Sequence, residues 1–340
     1  MTRATRPWLW PLVPAYRLVL AMREVQLRTG LKPVRRLRWP VVSVGNLSAG
    51  GAGKTPLTIA LAKALAARGV QVDVLSRGYA RRSALPLAVA PRGTSEEFGD
   101  EPLVIAREAR VPVYVAAERY EAGLLAEAEV SKGTSQQVSE SASQPIRAHL
   151  LDDGFQHRQL HRDVDILLLS RRDLDDRLLP AGNLREALRA AERADVIAIP
   201  ADEPEVAERI RSWGWQKAVW RLRRRMEVPP LEGPVVAFCG IARPEQFFEG
   251  LERAGMRLTA RFTFPDHYRY TIGDLERITA AAQSTGATAL LTTEKDCVRI
   301  RTLAQDRPAL FPLKAVPLTI MIEDESAAVD WLIRRVRKEA

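Results

Sequence analysis

The stretch "VVSVGNLSAGGAGKTPLTIALAKAL", residues 41–65, decides the fold. Val41 to Val44 reads as a short buried strand, and Pro56 to Ala67 as a helix with proline in its first turn. The glycine-rich turn between them ends in Gly53-Lys54-Thr55. Strand, turn and helix in this order let successive backbone N–H groups and a helix N-terminus surround phosphate oxygens. The G-x-x-x-x-G-K-[ST] pattern wants its first glycine where Ser48 stands. Gly50, Gly51 and Gly53 still permit close approach of an anion, so Ser48, Ala49, Gly50, Gly51, Ala52, Gly53, Lys54 and Thr55 are read as an ATP-binding loop. Lys54 would reach the β/γ-phosphates, and the Thr55 hydroxyl would bind Mg2+.

Outward from this loop, apolar strands alternate with helical stretches. "VQVDVLS" (70–76), "VPVYVA" (111–116), "RAHLLDD" (147–153), "DVDILLL" (163–169) and "ADVIAIP" (194–200) continue the series. The expectation is an α/β fold of the P-loop NTPase type, a mostly parallel sheet with helices on both faces. "RLRRRMEVPPLEGP" (221–234) reads as a linker, because Pro229, Pro230 and Pro234 break regular structure. "VVAFCGI" and "PEQFFEGLERAG" then open a second unit. The expected division is a P-loop domain over 39–222 and a smaller C-terminal α/β domain over 230–340. The final amphipathic helix could pack on either. Residues 131–144, Ser/Gln-rich and without apolar periodicity, read as a solvated loop insertion.

Residues 1–38 carry nine basic residues against Glu24 alone, so eight of the nine net positive charges sit there. The nearly neutral body argues against a nucleic-acid partner. "PWLWPLVPAYRLVLAM" (7–22) is too short and too broken by Pro11, Pro14 and Arg17 to span a bilayer. Its aromatic and apolar residues with flanking arginines fit a helix lying in the membrane interface, drawn to anionic lipid. Cys239 and Cys297, far apart and without a C-x-x-C, suggest a reducing compartment and no zinc site. No obligate protein partner is evident.

Three more segments carry chemistry. "DDGFQH" places Asp152, Asp153, Gln156 and His157 after a buried strand, where a magnesium-linked carboxylate belongs. "FGDEP" (98–102) puts Asp100 and Glu101 at a helix start, a position that N-capping alone could explain. "FPDHY" (264–268) presents Asp266 and His267 in a loop; a histidine oriented by a carboxylate is a common base for an acceptor hydroxyl. "TTEKD" (292–296) has the wrong spacing for guanine recognition, so ATP is favoured over GTP.

With these segments in place, the chain resembles the tetraacyldisaccharide 4'-kinases of lipid A biosynthesis. "SVGNLSAGGAGKTP", "LSRGY", "GDEP", "LDDGFQHRQLHRDVDILLL", "LLPAGNLREAL", "FCGIARPEQFFEGLERAG", "FPDHY" and "TTEKD" occur in that family's order. The family's loop also carries Ser or Thr at the position of Ser48. The resemblance implies transfer of the ATP γ-phosphate to the 4'-hydroxyl of a tetraacylated disaccharide 1-phosphate, giving lipid IVA. It implies work at the cytoplasmic face of the bacterial inner membrane, held there by the N-terminal helix. Asp100 and His267 match the family's catalytic pair, with Asp100 the base and His267 tuning it. Glu101, Asp152 and Asp153 match acidic positions around magnesium. Arg119 and Arg185 match basic positions facing phosphates, and Arg77, Gln156, His157 and Glu186 are further substrate-binding candidates. The rivals are a partition-type ATPase or GTPase switch and a membrane-recruited nucleotide-binding module. Ala49, standing where partition ATPases carry a signature lysine, counts against the first. The Asp100 and His267 motifs count against the second.

Overall fold

The computed structural model describes residues 6–134, 145–305 and 312–339. The first strand, β1 (Val41–Asn46), is buried along its whole length, as a strand covered on both faces must be. It is followed by β2 (Gln71–Ser76), β3 (Leu87–Ala88), β4 (Val113–Val115) and β5 (Arg147–Asp152). Then come β6 (Val164–Leu168), β7 (Val196–Pro200) and β8 (Ala218–Met226). The C-terminal part adds β9 (Val235–Cys239), β10 (Leu258–Thr263), β11 (Ala289–Thr293), β12 (Leu313–Val316) and β13 (Leu318–Ile322).

Among the described residues these strands form two sheets. The nine-stranded one has the order β13-β8-β7-β6-β1-β5-β2-β4-β3, and the four-stranded one β10-β9-β11-β12. The small sheet is parallel throughout. The large one is parallel except at its two edges, where β13 meets β8 and β3 meets β4 antiparallel. This is the expected mostly parallel α/β architecture.

The helices are α1 (Val13–Arg28), α2 (Lys54–Ala67), α3 (Ser95–Phe98), α4 (Asp100–Ala109), α5 (Arg119–Thr134) and α6 (Arg171–Leu174). They continue with α7 (Pro204–Ser212), α8 (Pro244–Arg253), α9 (Ile272–Ser284), α10 (Glu294–Gln305) and α11 (Glu325–Glu339). One face of the large sheet buries Leu57, Leu61 and Leu65 of α2 with Leu103 and Ile105 of α4 and Leu332 and Val336 of α11. The opposite face packs Phe155, Ile197 and Ile199 with Val206 and Ile210 of α7, and Val13, Tyr16 and Leu20 of α1 rest against it. In the small sheet, Phe247, Phe248 and Leu251 of α8 cover one side, and α9 covers the other through Leu275 and Ile278.

Three expectations need correction. The linker begins later than residue 221, because "RLRRRM" completes β8, whose Trp220 and Leu222 point into the core. Its arginines are tolerated because β8 lies next to the sheet edge and leaves them outside. The C-terminal segment is also not confined to the small sheet, since β13 joins β8; α11 packs on α2, one of the two placements open to it. The supposed insertion starts late as well: residues 131–134 continue α5, and 135–144 fall outside the described residues. No described helix is long and apolar enough to cross a membrane.

Candidate active site

Both sheets present the carboxyl ends of their strands to one cleft of about 1590 Å³. In open α/β sheets this is where ligands bind, at the point where strand order reverses. In the large sheet that point is β1, flanked by β5 and β6. Ala49 to Thr55 line the cleft just beyond β1. Gly50, Gly51 and Gly53 all have positive φ, and Gly53, at +92°, turns the loop directly into α2.

Ser48 behaves differently from its neighbours. It is 2% exposed, is absent from the cleft wall and has no positive φ. It bridges Leu184, while Ala49 N donates to Asn183 O (2.8 Å) and Arg185 N to Leu47 O (2.7 Å). The "GNLRE" segment thus runs alongside the loop as a short strand, and a residue with a side chain fits where other P-loops need glycine. Asn46 Nδ2 donates to Ser48 O (2.8 Å) and Ser48 Oγ (3.1 Å). Asn46 Oδ1 in turn accepts from Lys54 Nζ (3.0 Å) and Arg185 Nη2 (2.7 Å). Asn46 therefore sets both cations. Sequence reading passed over it because an asparagine ending a strand carries no signal by itself.

The "DDG" turn follows β5, whose Asp152 lies opposite Val44 of β1. The turn is pressed onto β1: a Cβ on Gly45 would meet Phe155 Cβ at 2.5 Å. Asp153 adopts φ +50°, a strained left-handed conformation for a residue with a side chain. Arg185 holds its carboxylate with two hydrogen bonds (3.0 and 2.8 Å), and Lys54 Nζ lies 3.6 Å away. Burial alone would raise the Asp153 pKa, but Lys54 and Arg185 outweigh it and hold the group at about 2. Asp152 is pushed up to about 7, first by burial and then by the charges of Glu101 and Asp153. Asp152 Oδ1 accepts a hydrogen bond from Thr58 Oγ1 (3.2 Å). Glu101, in the first turn of α4, accepts from Lys295 Nζ at 2.5 Å. Burial opposes its ionisation, and Lys295 overcomes that and keeps its pKa low.

Among the described residues no three His, Cys, Asp or Glu side chains form a closed metal-ligand group. Magnesium does not need one, since it usually keeps its waters and takes one or two carboxylates together with substrate phosphates. Asp152, buried and raised by like charge beside the loop, fits a carboxylate that a cation would relieve.

Across the cleft, "FPDHY" follows β10 and brings His267 to the wall, at φ +58°. His267 Nδ1 lies 3.2 Å from Asp100 Oδ2, joining segments 167 residues apart. Asp100 does not itself line the cleft. Its Oδ2 also accepts from Arg299 Nε (2.7 Å). Burial tends to raise the Asp100 pKa, but the His267 bond and the Arg299 charge together lower it. Arg299 is fixed by Asp296 (2.7 Å) and Gly240 O (2.7 Å), and Asp296 also accepts from Thr293 Oγ1 (2.6 Å) and Gly240 N (3.0 Å). "TTEKD" thus supplies Lys295 to Glu101 and, through Asp296, braces the arginine behind the Asp100–His267 pair. Arg299, one helical turn after Asp296, had only that spacing to announce it.

Arg77, Arg119, Gln156, His157 and Arg185 line the same cleft. Glu186 does not: it pairs with Arg193 (2.8 Å) behind Arg185. Arg224 donates to Ala52 O (2.7 Å), and Arg243 packs beside Gly51, so the outer side of the loop is basic too.

The family model described as tetraacyldisaccharide-1-P 4'-kinase, LpxK, matches residues 5–337. A tetraacyldisaccharide 4'-kinase of Koribacter versatilis is 40% identical over 338 residues, covering 96% of this chain and 98% of that protein. The one of Aquifex aeolicus is 38% identical over 283 residues, 78% of this chain and 84% of its own. Among solved structures, LpxK from Aquifex aeolicus in complex with ATP aligns with TM-score 0.74 at 32% identity, covering 96% of this chain and 98% of that one. The motif order, the cleft and these relatives agree: the chain belongs to the tetraacyldisaccharide-1-P 4'-kinase family, the ATP-dependent kinases of lipid A biosynthesis.

Proposed function

We propose that this chain transfers the γ-phosphate of ATP to the 4'-hydroxyl of a tetraacylated disaccharide 1-phosphate. The observation carrying the reading is that one cleft is lined by Ala49–Thr55, by Glu101, Asp152 and Asp153, and by His267 from the other sheet. Phosphoryl transfer needs positioning and charge neutralisation more than covalent chemistry. The loop N–H groups and Lys54 hold the phosphate chain, while Asn46 and Asp153 fix Lys54 and Arg185 in place. Thr55 and Asp152, with Glu101 and Asp153 near, are the residues that would hold magnesium. When bound, it supplies charge neutralisation on the transferring group.

The acceptor proton is taken by the Asp100–His267 pair acting as one unit. The sequence reading put Asp100 foremost. The placement of Asp100 behind His267, with Oδ2 shared between Arg299 and the imidazole, favours His267 as the face that meets the hydroxyl and Asp100 as the group that orients it. Transfer of label from γ-labelled ATP to the acceptor lipid tests the whole reading. Magnesium-dependent ATP loss without labelled lipid would point to an ATPase instead.

The N-terminal segment supports work at a membrane surface. Trp8 is 73% exposed, and Leu18, Val19 and Met22 on α1 are exposed beside Arg17. Such a face suits the interface of an anionic bilayer, here the cytoplasmic leaflet of the inner membrane. Because Tyr16 Oη donates to Arg185 O (2.8 Å), deleting α1 would also disturb the cleft. The cleaner test is Trp8→Ser with Leu18→Ser and Val19→Ser in flotation with phosphatidylglycerol vesicles. Unchanged flotation would remove the anchor.

A further inference from the structure

The small sheet touches the phosphate loop directly, through the turn between β9 and α8. We propose that Arg243, in that turn, is an arginine finger. Its guanidinium donates to the oxygen bridging the β- and γ-phosphates of ATP as the γ-phosphate is transferred. The inference rests on the kinase reading above and deepens it.

The first support is placement. A Cβ added to Gly50 would lie 3.0 Å from Ala242 Cβ, and one added to Gly51 would lie 3.1 Å from Cδ and 3.2 Å from Cγ and Nε of Arg243. The arginine therefore lies along the middle of the loop and lines the cleft there. The loop N–H groups and Lys54 enclose the β- and γ-phosphates, so a guanidinium resting on Gly51 stands beside the bond that breaks. The turn that carries it is fixed: Gly240 N donates to Asp296 (3.0 Å), and Gly240 O accepts from Arg299 (2.7 Å). Arg299 is the residue that also holds Asp100 behind His267. One framework thus mounts a cation for the leaving oxygen and a base for the attacking one.

The second support is an uncommitted charge. Lys54, Arg185 and Lys295 each face a carboxylate, and Arg224 Nη2 donates to Ala52 O (2.7 Å). Among the described residues Arg243 makes no salt bridge. The carboxylates whose charge it feels, Asp173 and Glu203, are occupied elsewhere. Asp173 accepts from Ser170 N (2.8 Å) and Oγ (2.6 Å), and Glu203 from Arg171 N (2.6 Å). Burial lowers the Arg243 pKa, and Arg172 and Arg224 add to that, yet a guanidinium stays charged at any working pH. A half-buried cation beside the N-terminus of α2 is unfavourable until an anion arrives. In the transfer, the bond from the γ-phosphorus to the bridging oxygen breaks as the bond to the acceptor oxygen forms. The bridging oxygen keeps the electron pair and leaves on ADP, and the acceptor proton passes to the Asp100–His267 pair. Arg243 meets the charge that collects on the bridging oxygen and exchanges no proton. Its fork of N–H donors suits that oxygen and its phosphate neighbours.

The test measures transfer of label from γ-labelled ATP to the acceptor lipid, with ATP affinity read separately by equilibrium dialysis. Arg243→Ala should lower kcat about 100-fold, the scale of one lost donor to developing charge. Its Kd for ATP should stay within about threefold of the unaltered protein's. The ligand-free thermal midpoint should hold or rise, because no carboxylate loses its partner. Arg243→Lys should recover only part of the rate, since a point charge lacks the fork. Added guanidinium ion at millimolar concentration should speed Arg243→Ala and leave the unaltered protein unchanged. A kcat for Arg243→Ala within about threefold of the unaltered protein's overturns the finger. So does a loss confined to ATP affinity, a fall in the midpoint, or a failure of both lysine and guanidinium ion to restore rate. If the unaltered protein binds ATP but labels no lipid, the acceptor reading itself fails, and the finger with it.

Discussion

Two buried charge clusters share strand β5 and differ in how far their charges are met. Around His149 every charge is met: Nδ1 lies 2.7 Å from Asp73 and Nε2 3.4 Å from Glu127. Glu127 also accepts from the backbone N–H groups of Arg38 (2.7 Å) and Trp39 (3.1 Å), and Trp39 stacks on the imidazole at 5.2 Å. In the cleft, Asp152 is driven up to about 7 by burial and by Glu101 and Asp153, and the Arg119 Nε has no partner. A cluster that closes on itself serves the fold. One left incomplete is finished by what binds it.

The largest effect expected from breaking the open cluster is on turnover. Lys54→Ala should lower kcat about 10³-fold, the upper range for losing one preorganised donor to developing charge. The thermal midpoint should change little, because Lys54 faces the cleft. A tenfold loss or less would mean that Arg185 and the loop N–H groups suffice. Next come His267→Gln and Asp100→Asn, each expected to cost about 10²-fold in kcat. If His267 meets the hydroxyl and Asp100 orients it, the double variant should lose little more than either single one. Additive losses would separate the pair into independent roles.

Stability measurements should then give opposite signs in the two clusters. His149→Gln should destabilise the ligand-free protein by about 3 kcal/mol, because it removes the cation between the Asp73 and Glu127 carboxylates and leaves Glu127 only its bonds from the Arg38 and Trp39 N–H groups. Asp152→Asn should instead raise the ligand-free thermal midpoint at neutral pH, since it removes a carboxylate that burial and like charge disfavour. It should also weaken magnesium-dependent nucleotide binding. A lowered midpoint in Asp152→Asn would show that cluster to be as closed as the other. The pH dependence follows from the same cause. Burial works against the His149 charge, but Asp73 and Glu127 raise its pKa from 6.5 to about 9. Its stabilisation is therefore complete below pH ~6.5 and is lost as pH rises through about 9. Urea midpoints at pH 6 and pH 10 should differ more in the unaltered protein than in His149→Gln.

The same contrast explains what the sequence could reveal. The loop, "DDGFQH", "GDEP" and "FPDHY" were legible because each is a local signal, a few residues whose backbone geometry depends on their immediate neighbours. Asn46 meets Arg185, and Lys295 and Arg299 meet Glu101 and Asp100, only when segments distant in sequence come together, so composition could not mark these roles. β8 was mistaken for linker because its outward residues are arginines. Only Trp220 and Leu222 carry its inward period, and a partner more than 90 residues away completes it. The order of the Asp100–His267 pair was similarly hidden. Both motifs name a residue, but which one faces the cleft depends on Arg299 standing behind Asp100.

The smallest expected effect is at Ser48, the residue that departs from the ordinary loop pattern. If its side chain met phosphate, Ser48→Gly would damage nucleotide binding. The side chain is instead buried, turned toward Asn46, in a segment paired with Leu184. Glycine there keeps the Asn46 bond to the backbone carbonyl and loses the 3.1 Å bond to Oγ. Added chain entropy and one lost hydrogen bond should together cost about 1–2 kcal/mol in denaturant unfolding. The KM for ATP should stay within about threefold, roughly 0.6 kcal/mol. A rise of tenfold or more with unchanged stability would place Ser48 among the residues that touch the nucleotide. The predicted pattern would place it with His149, among the polar groups whose partners are already inside the fold.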